Sequence, residues 1–504
     1  MFCSRKEEAK ELSSSLNTKG FKTVVLTGDD SQEERERQVN QLESGFLNYI
    51  ITVDIFNEGI DIPSVNQVVM LRQTKSSIIF IQQLGRGLRK HHSKEFVTII
   101  DFIGNYKNNF LIPTALSGDK SINQDSTRWY TKNTNFIKGV STVNFEEVAR
   151  KRIFDSINQM GSQTKKLLKE AYFELKNKIG KIPNLFDFTY YNSIDPNVII
   201  SEYSTYPKFL QVVEKITPLF SEYEIKIICM LSLEIMNGKR LHEIILLHEL
   251  LKNEEITVQD YLDTLNNFDC YIDKNTLVSV ERIFNLSFFT ITDQAKYGGK
   301  AIITFENGLY KFGEDVKNCL RKNSEFKDHL QDICNTALEL SKKYESDKPL
   351  KLYKKYSKKD VCRLLNWEND EKGTMYGYKT KHGTCPIFIT YHKDETVDAS
   401  IAYEDALINQ DTLLWFSRNS RVIESKELKP IIYAEEQGID IHIFVKKDDD
   451  EGTDSYYLGK AFPVIETVEQ TTISTGDGEK PIVKMNMIME NPVEYNMYKY
   501  ITNN

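Results

Sequence analysis

Two arginines three residues apart, Arg86 and Arg89, are the residues of this sequence best suited to chemistry on phosphate. They follow an apolar helical turn and Gln82, and on a helix this spacing points both guanidinium groups the same way. A guanidinium group is permanently charged and binds phosphate oxygens through two hydrogen bonds. The pair therefore suits a polyphosphate, although a solvated basic helix end would show the same bare Arg-x-x-Arg pattern.

Polar residues that follow apolar strands offer further contacts to a nucleotide or a nucleic acid. Gly59 and Asp61 come after an apolar strand, where glycine lets the backbone approach a ligand and the carboxylate can accept a hydrogen bond from a ribose hydroxyl. Ser4 and Arg5 lead into a helix, and Gly28 ends another strand. Backbone N–H groups at such positions are suited to a nucleic-acid phosphate.

The elements that must position these residues are short apolar strands alternating with polar-faced helices. The strands are predicted at 23–26, 49–53, 67–71 and 96–101, and the helices at 6–16 and 31–42. Continuously apolar strands separated by helices favour a parallel sheet covered on both faces. We therefore predict an α/β domain over residues 1–112.

Residues 1–112 resemble the second RecA-like lobe of a superfamily-two helicase of the DEAD/DEAH type. Motif IV corresponds to residues 1–5, motif V to 52–61 and motif VI to 82–89. The resemblance implies that Arg86 and Arg89 are catalytic, with Arg89 as the arginine finger. It also implies three residues near the nucleotide, Gly59, Asp61 and Gln82. Four residues are implied to face the nucleic-acid backbone, namely Ser4, Arg5, Gly28 and Thr52. This sequence departs from the family pattern at Val53, because a threonine often stands before the aspartate of motif V.

The resemblance further implies ATP and Mg²⁺ as cofactors, but the sequence lacks a phosphate-binding P-loop. None of its Gly-Lys pairs is followed by serine or threonine, since the next residues are Ile182, Arg240, Ala301 and Ala461. The chain also starts in the middle of the strand that normally begins this lobe. We therefore expect a missing first lobe to supply the P-loop and the magnesium ligand, and we expect this chain alone to be inactive and to hold no metal.

Residues 113–345 show mostly helical periodicity and predict a mainly helical domain. Within it, residues 298–312 predict a β-hairpin between helices. A winged-helix arrangement would give the same pattern, and we favour the ordinary hairpin. His242-Glu243 and His248-Glu249 are six residues apart, whereas a zinc protease helix needs histidines four apart, so we interpret this helix as a surface helix.

Residues 346–504 predict a mixed, β-rich domain that is a candidate for DNA recognition. Segments 101–110, 356–367 and 373–379 resemble a C-terminal region of unknown function appended to some bacterial helicases. The same architecture occurs in modification-dependent, type IV restriction enzymes of the SauUSI kind. This resemblance implies that the complete enzyme translocates on DNA and that its C-terminal part recognises modified cytosine. It also implies two partners, a nuclease and the missing lobe, in cis or in trans.

Lysines and tyrosines alternate over residues 351–359, and this run includes Lys354 and Lys355. Positive charge interleaved with aromatic rings is typical of a surface that follows a phosphate backbone and stacks bases. A solvated helix with its tyrosines in the core fits the same run. The two interpretations stay open at this point.

Composition limits the remaining possibilities. The 504 residues are 40% hydrophobic and 27% charged, which excludes wholesale disorder, and the net charge of −8 excludes a chain coated in positive charge. No run of about 20 apolar residues predicts a membrane span, so we expect a cytoplasmic protein. Two alternatives to a DNA helicase or translocase remain: a non-enzymatic DNA-binding module, and an RNA or repair helicase of the same superfamily.

Overall fold

The computed structural model divides the chain into two compact units, Met1–Leu167 and Leu168–Asn504. It describes residues 1–53, 62–72, 91–92, 94–102, 108–133, 142–217, 219–392, 405–475 and 478–502. Among these residues, no helix combines the length and the apolar character that crossing a bilayer requires.

The first unit is built on a five-stranded parallel sheet. Its strands lie in the order β2-β3-β1-β4-β5, and every neighbouring pair is parallel. The strands are β1 (Phe2–Cys3), β2 (Thr23–Leu26), β3 (Tyr49–Val53), β4 (Gln67–Met70) and β5 (Thr98–Asp101). The short β1 is central, because Phe2 pairs with Thr52 of β3 on one side and with Met70 of β4 on the other.

Both faces of this sheet are covered by apolar side chains, because successive residues of a strand point to opposite faces. Phe2 and Ile50 belong to one core cluster, while their neighbours Cys3 and Ile51 belong to the other. Helix α1 (Lys6–Thr18) contributes Ala9 to the second cluster, and helix α2 (Gln32–Glu43) contributes Val39 to the first. The predicted RecA-like parallel-sheet fold is therefore confirmed.

Two further helices share a core with the sheet, and a third helix between them in sequence packs against both. They are Leu111–Ser117, Gln124–Lys132 and Glu147–Met160. Ile112, Ile153 and Ile157 from the first and third of these helices lie in the same apolar cluster as Phe2. The first compact unit therefore extends past residue 112, where the sequence placed a boundary, to Leu167.

The first part of the second unit is mainly helical, as predicted. Its helices are Thr164–Ile179, which begins just before the unit, Leu185–Tyr190, Pro196–Tyr203, Tyr206–Glu214, Glu222–Met230, Leu241–Asn253, Val258–Asn267, Lys274–Phe284, Ile291–Lys296, Glu314–Lys322 and Ser324–Ser341. Several begin with a side-chain cap. Ser221, for example, accepts a hydrogen bond from the Glu224 amide, while the Glu224 carboxylate accepts one from the Ser221 amide.

The predicted hairpin is part of a three-stranded antiparallel sheet. Strands β7 (Ile303–Glu306) and β8 (Leu309–Phe312) form the hairpin, and β6 (Glu255–Thr257) pairs with β8 to give the order β6-β8-β7. Along the chain, three helices separate β6 from β7, namely Val258–Asn267, Lys274–Phe284 and Ile291–Lys296. The β-hairpin that the sequence predicts is therefore present, and β6, which is too short to recognise by pattern, adds a third strand to it.

The C-terminal part is a mixed eight-stranded sheet, as predicted. Its strands are β9 (Lys355–Tyr356), β10 (Thr384–Thr390), β11 (Ala406–Leu407), β12 (Thr412–Phe416), β13 (Asp440–Lys446), β14 (Ser455–Pro463), β15 (Glu469–Thr475) and β16 (Gly478–Met489). The main order is β10-β13-β14-β16-β12-β11, with β9 on β14 and β15 on β16. Only β10 and β13 pair in parallel. Short helices lie at Lys358–Leu364, Lys429–Ile432 and Tyr495–Thr502.

A buried polar network joins the middle helices to the Lys358–Leu364 helix of the C-terminal part. Arg240 and Glu243 form an ion pair with both side chains almost fully buried. Arg240 also donates to the Ser279 hydroxyl at 3.2 Å and to the Arg363 carbonyl at 3.2 Å. Lys239 pairs with Asp360 at 2.5 Å. The interpretation of the His242-Glu243 helix as a surface helix is therefore wrong, and the two parts fold as one unit.

His242 makes the stability of this unit depend on pH. It is 1% exposed and donates through Nε2 to the Tyr271 carbonyl at 2.8 Å. Burial, with a contribution from nearby Arg240, lowers the pKa of His242 from 6.5 to about 4. The unfolded chain therefore binds a proton at His242 more readily than the folded chain does. The contribution of neutral, buried His242 to stability is complete above pH 6.5 and is lost as the pH falls from 6.5 towards 4.

We expect His242→Phe to reduce the loss of stability between pH 7.5 and 4.5, because the substituted chain no longer protonates at this position on unfolding. Urea unfolding at the two pH values measures the difference. The same substitution at exposed His92 in the first unit is the control. An unchanged difference in His242→Phe would contradict the assignment.

Candidate nucleotide and nucleic-acid site

The carboxyl ends of the parallel strands in the first unit meet at one edge of the sheet. In open α/β sheets this edge is where ligands bind. Ser4 and Arg5 follow β1, Gly28 follows β2, and motif V begins at the end of β3. The fold therefore brings residues that are far apart in sequence to one edge.

Ser4 and Arg5 are exposed where β1 passes into α1. Arg5 is the N-cap residue of α1, with an extended backbone and no side-chain cap hydrogen bond. Its side chain is 76% exposed and lies 3.9 Å from Glu8, which leaves the guanidinium group open to solvent. A helix N-terminus with exposed cationic and hydroxyl side chains is suited to a phosphate group.

The loop at Gly28 is held in a fixed shape by side-chain hydrogen bonds and an ion pair. Arg35 donates to the carbonyl of Gly28 at 3.0 Å and to that of Thr27 at 3.2 Å. Asp30 accepts from the Thr27 amide at 2.6 Å. Lys6 of α1 forms an ion pair with Asp29, which ties this loop to the helix after Arg5. The sequence did not point to Lys6 and Asp29, because nothing local marks a partner more than 20 residues away. It did not point to Arg35 either.

The amide of Gly28 is exposed and has no hydrogen-bond partner among the residues that the structure describes. A Cβ atom at Gly28 would meet nothing within 4 Å. The glycine is therefore not required by packing, and its open backbone donor matches the phosphate contact expected from the sequence.

Thr52 differs from the other predicted backbone contacts, because its side chain is 4% exposed. Its hydroxyl donates to the Met1 carbonyl at 3.4 Å, and its amide donates to the same oxygen at 2.8 Å. The structure therefore places Thr52 inside the sheet, where it holds β3 against β1.

The predicted nucleotide-binding and catalytic residues lie outside the described part of the chain. They are Gly59, Asp61, Gln82, Arg86 and Arg89. Their roles remain predictions from the sequence.

The lysines of the 351–359 run have different surroundings. Lys355 is 11% exposed and lies 3.5 Å from the Glu451 carboxylate and 4.7 Å from the centre of the Tyr456 ring. Lys359 pairs with buried Glu234 at 2.5 Å. Lys354 is half-buried, and burial together with Lys351 and Lys343 lowers its pKa. The run is therefore not a uniform phosphate-facing stripe, and Lys354 is the better placed of the two predicted contacts.

Three families match separate parts of the chain. The helicase conserved C-terminal domain matches residues 1–91. Two domains of unknown function, DUF8090 and DUF3427, match residues 168–346 and 350–501. The first match contains strands β1 to β4 of the parallel sheet, and the other two together cover almost all of the second compact unit.

Two curated relatives each match about a fifth of this chain. The putative ATP-dependent helicase IRC3 of Saccharomyces cerevisiae is 37% identical over 99 residues, which are 20% of this chain and 14% of the yeast protein. The ATP-dependent RNA helicase SrmB of Haemophilus influenzae is 28% identical over 101 residues, which are 20% of this chain and 23% of that protein. The chain thus spans less than a quarter of either relative.

Among solved structures, the chain is similar to the DEAD-box protein SrmB of E. coli bound to regulator of ribonuclease activity A. The identity is 26% and the TM-score 0.18, with 20% of this chain and 57% of that chain covered. The family match and the parallel sheet identify the first part of this protein as the C-terminal lobe of a superfamily-two helicase. Its helicase relatives are ATP-dependent.

Proposed function

We propose that this chain is the C-terminal part of an ATP-dependent DNA helicase or translocase in a modification-dependent restriction or defence enzyme. The observation that carries the proposal is the helicase-type lobe, whose exposed Ser4, Arg5 and Gly28 amide lie at the ligand-binding edge of the sheet. The second unit, in this proposal, recognises modified cytosine. A nuclease acts with the enzyme in cis or in trans.

The lobe supplies half of the ATP site in this proposal. Arg86 and Arg89 stabilise charge that develops on the transferred phosphoryl group, while Gly59, Asp61 and Gln82 contact the nucleotide. The P-loop and the magnesium ligand come from a first lobe, since this sequence contains no Gly-Lys-Ser/Thr. Nucleic-acid phosphates contact Ser4, Arg5 and Gly28 in the first unit and Lys354 in the second.

RNA is the second candidate substrate, because one of the similar proteins is named an RNA helicase. The segment matched by that helicase is a fifth of this chain, and contacts to phosphate carry no sequence information. The choice between DNA and RNA in this proposal therefore depends on the second unit.

We expect the full chain to bind duplex DNA carrying methylated cytosine more tightly than the matched unmethylated duplex. A binding titration of both duplexes and of an RNA duplex, at two salt concentrations, measures the preference. An affinity that falls with salt equally for all three duplexes indicates phosphate contacts. A ratio of the affinities for methylated and unmethylated DNA that persists at high salt indicates base recognition. The full chain is the right sample, because Arg240 and Lys239 join the helical and β-rich parts.

Equal affinity for both DNA duplexes would remove modified cytosine from the proposal. Tighter binding to the RNA duplex would favour the RNA helicase. No binding to any of the three would contradict a nucleic-acid function for this chain.

A further inference from the structure

The C-terminal sheet carries one long strand with an open outer edge. This strand is β15 (Glu469–Thr475), and β16 is its only partner among the strands that the structure describes. The other outer strands are short or covered. Strands β9 and β11 have two residues each, and on the outer side of β10 the Phe388 amide donates to the Gly377 carbonyl at 2.7 Å. Within the described residues, β15 is therefore the place where a further strand can join this sheet.

The hydrogen bonds of β16 show which backbone groups of β15 point away from the sheet. The Val483 carbonyl accepts from the Ser417 amide at 2.8 Å, and the Val483 amide donates to the Ser417 hydroxyl at 2.9 Å. Val483 thus turns both of its backbone groups away from Gln470, which lies opposite it on β15. Because the direction of these groups alternates along an antiparallel pair, the backbone groups of Gln470, Thr472 and Ser474 point to the open side.

This open edge lacks the features that normally prevent pairing with another chain. Gln470, Thr472 and Ser474 are exposed, and no hydrogen bond to their amides or carbonyls is made outside the sheet by any described residue. Charged side chains and proline are the usual protection of an edge strand. The strand contains no proline, and its one charged residue, Glu469, lies at the end and pairs with Lys484 of β16 at 3.1 Å.

A second copy of β15 fits this edge in the antiparallel direction, with Thr472 on a two-fold axis. Thr472 then faces Thr472 of the second copy, and Gln470 faces Ser474. These are the residues whose backbone groups point outward, so the two strands exchange up to about six hydrogen bonds. Like charges do not meet, because Glu469 faces Thr475 in this register.

We propose that two copies of this chain pair through β15, so that their C-terminal sheets join into one continuous sheet. The contact is the same patch on both copies, and it therefore closes into a dimer instead of extending into a filament. The inference goes beyond the proposed function and does not rest on nucleic-acid binding.

Self-complementarity favours a second copy over a strand of another protein. The two-fold register places a threonine opposite a threonine and an amide opposite a hydroxyl on one face, and Thr471 opposite Ile473 on the other. Threonine pairs and β-branched pairs of this kind stabilise neighbouring strands. One strand pair buries less than the about 1,200 Å² of a stable interface, so the dimer is weak, with a dissociation constant on the order of tens of micromolar.

A charge exchange at Thr472 tests both the edge and the register. Thr472→Lys and Thr472→Glu each place two like charges opposite one another across the axis, whereas a mixture of the two variants places opposite charges there. Thr472→Pro removes the central amide, which is not used within the chain, so proline is tolerated at this edge position. Thr453→Lys, at an exposed threonine of the same unit outside β15, is the control.

Sedimentation velocity of the full chain, over a range of concentrations around the expected dissociation constant, measures the association. Wild-type protein and the Thr453→Lys control dimerise alike. Each of the three Thr472 variants alone associates at least about tenfold more weakly. An equimolar mixture of the lysine and glutamate variants recovers association to within about threefold of the wild type, and this recovery also shows that both variants are folded.

A wild-type chain that stays monomeric over this range would overturn the interface. A dimer that is equally strong in all Thr472 variants would place the contact elsewhere and overturn it as well. Weak association of the lysine and glutamate variants even when mixed would exclude the two-fold register and leave the edge to a strand of another protein.

Discussion

Arg89→Ala is expected to lower ATP turnover by a factor of about 10³ to 10⁵ when this chain is combined with a first lobe that carries a P-loop. An arginine finger neutralises charge that develops only in the transition state, so kcat falls while the apparent affinity for ATP changes little. Steady-state kinetics of the combined enzyme measure both quantities. The chain without the first lobe is expected to show no ATP turnover above background.

Arg37→Ala is the matched control, because Arg37 is an exposed arginine on α2 of the same lobe. Among the residues that the structure describes, its ion-pair partner is Glu34 at 2.7 Å. Its kinetics should equal those of the wild type. A loss of ATP affinity without a loss of turnover in Arg89→Ala would assign Arg89 to binding or structure. Robust turnover by the chain alone would contradict the missing P-loop.

Arg240→Ala should have the largest effect on stability, a loss of about 3–5 kcal/mol from the free energy of unfolding of the second unit. The substitution leaves the Glu243 carboxylate buried without its cation, since both side chains are at most 2% exposed. It also removes the donors to Ser279 and to the Arg363 carbonyl. Native-state hydrogen exchange of the Leu241–Asn253 helix measures the loss in this unit alone.

Two further variants test whether the unpaired Glu243 carboxylate causes the loss of stability. Arg321→Ala breaks an exposed pair with Glu254, and we expect a change below about 1 kcal/mol. Arg240→Met with Glu243→Leu removes both charges, and we expect it to recover about half of the lost stability, because no buried charge is left unpaired. If the double variant were as unstable as Arg240→Ala, the unpaired carboxylate would not be the cause.

The sequence alone determined the class of fold and the position of the strands in the first unit. Each parallel strand is a continuous apolar run, and this signal needs no knowledge of its neighbours. The strands at 23–26 and 49–53 therefore matched within a residue. The placement of Ser4, Arg5 and Gly28 at one edge also followed, since parallel strands end on the same side.

Only the tertiary structure decided features that depend on distant partners. Strand β6 is three residues long and is recognisable only through its pairing with β8. Arg240 and Glu243 are ordinary charged residues in sequence, and their burial depends on Ser279 and Arg363, which the fold brings to them.

The lysines of the 351–359 run show the same limit. Lys359 reaches Glu234 across 125 positions of sequence, and Lys355 reaches Glu451. Alternation of lysine and tyrosine predicted a surface for phosphate, because charge density is a local property of the sequence. Whether each charge faces solvent or a buried carboxylate depends on long-range packing, which only the folded chain shows.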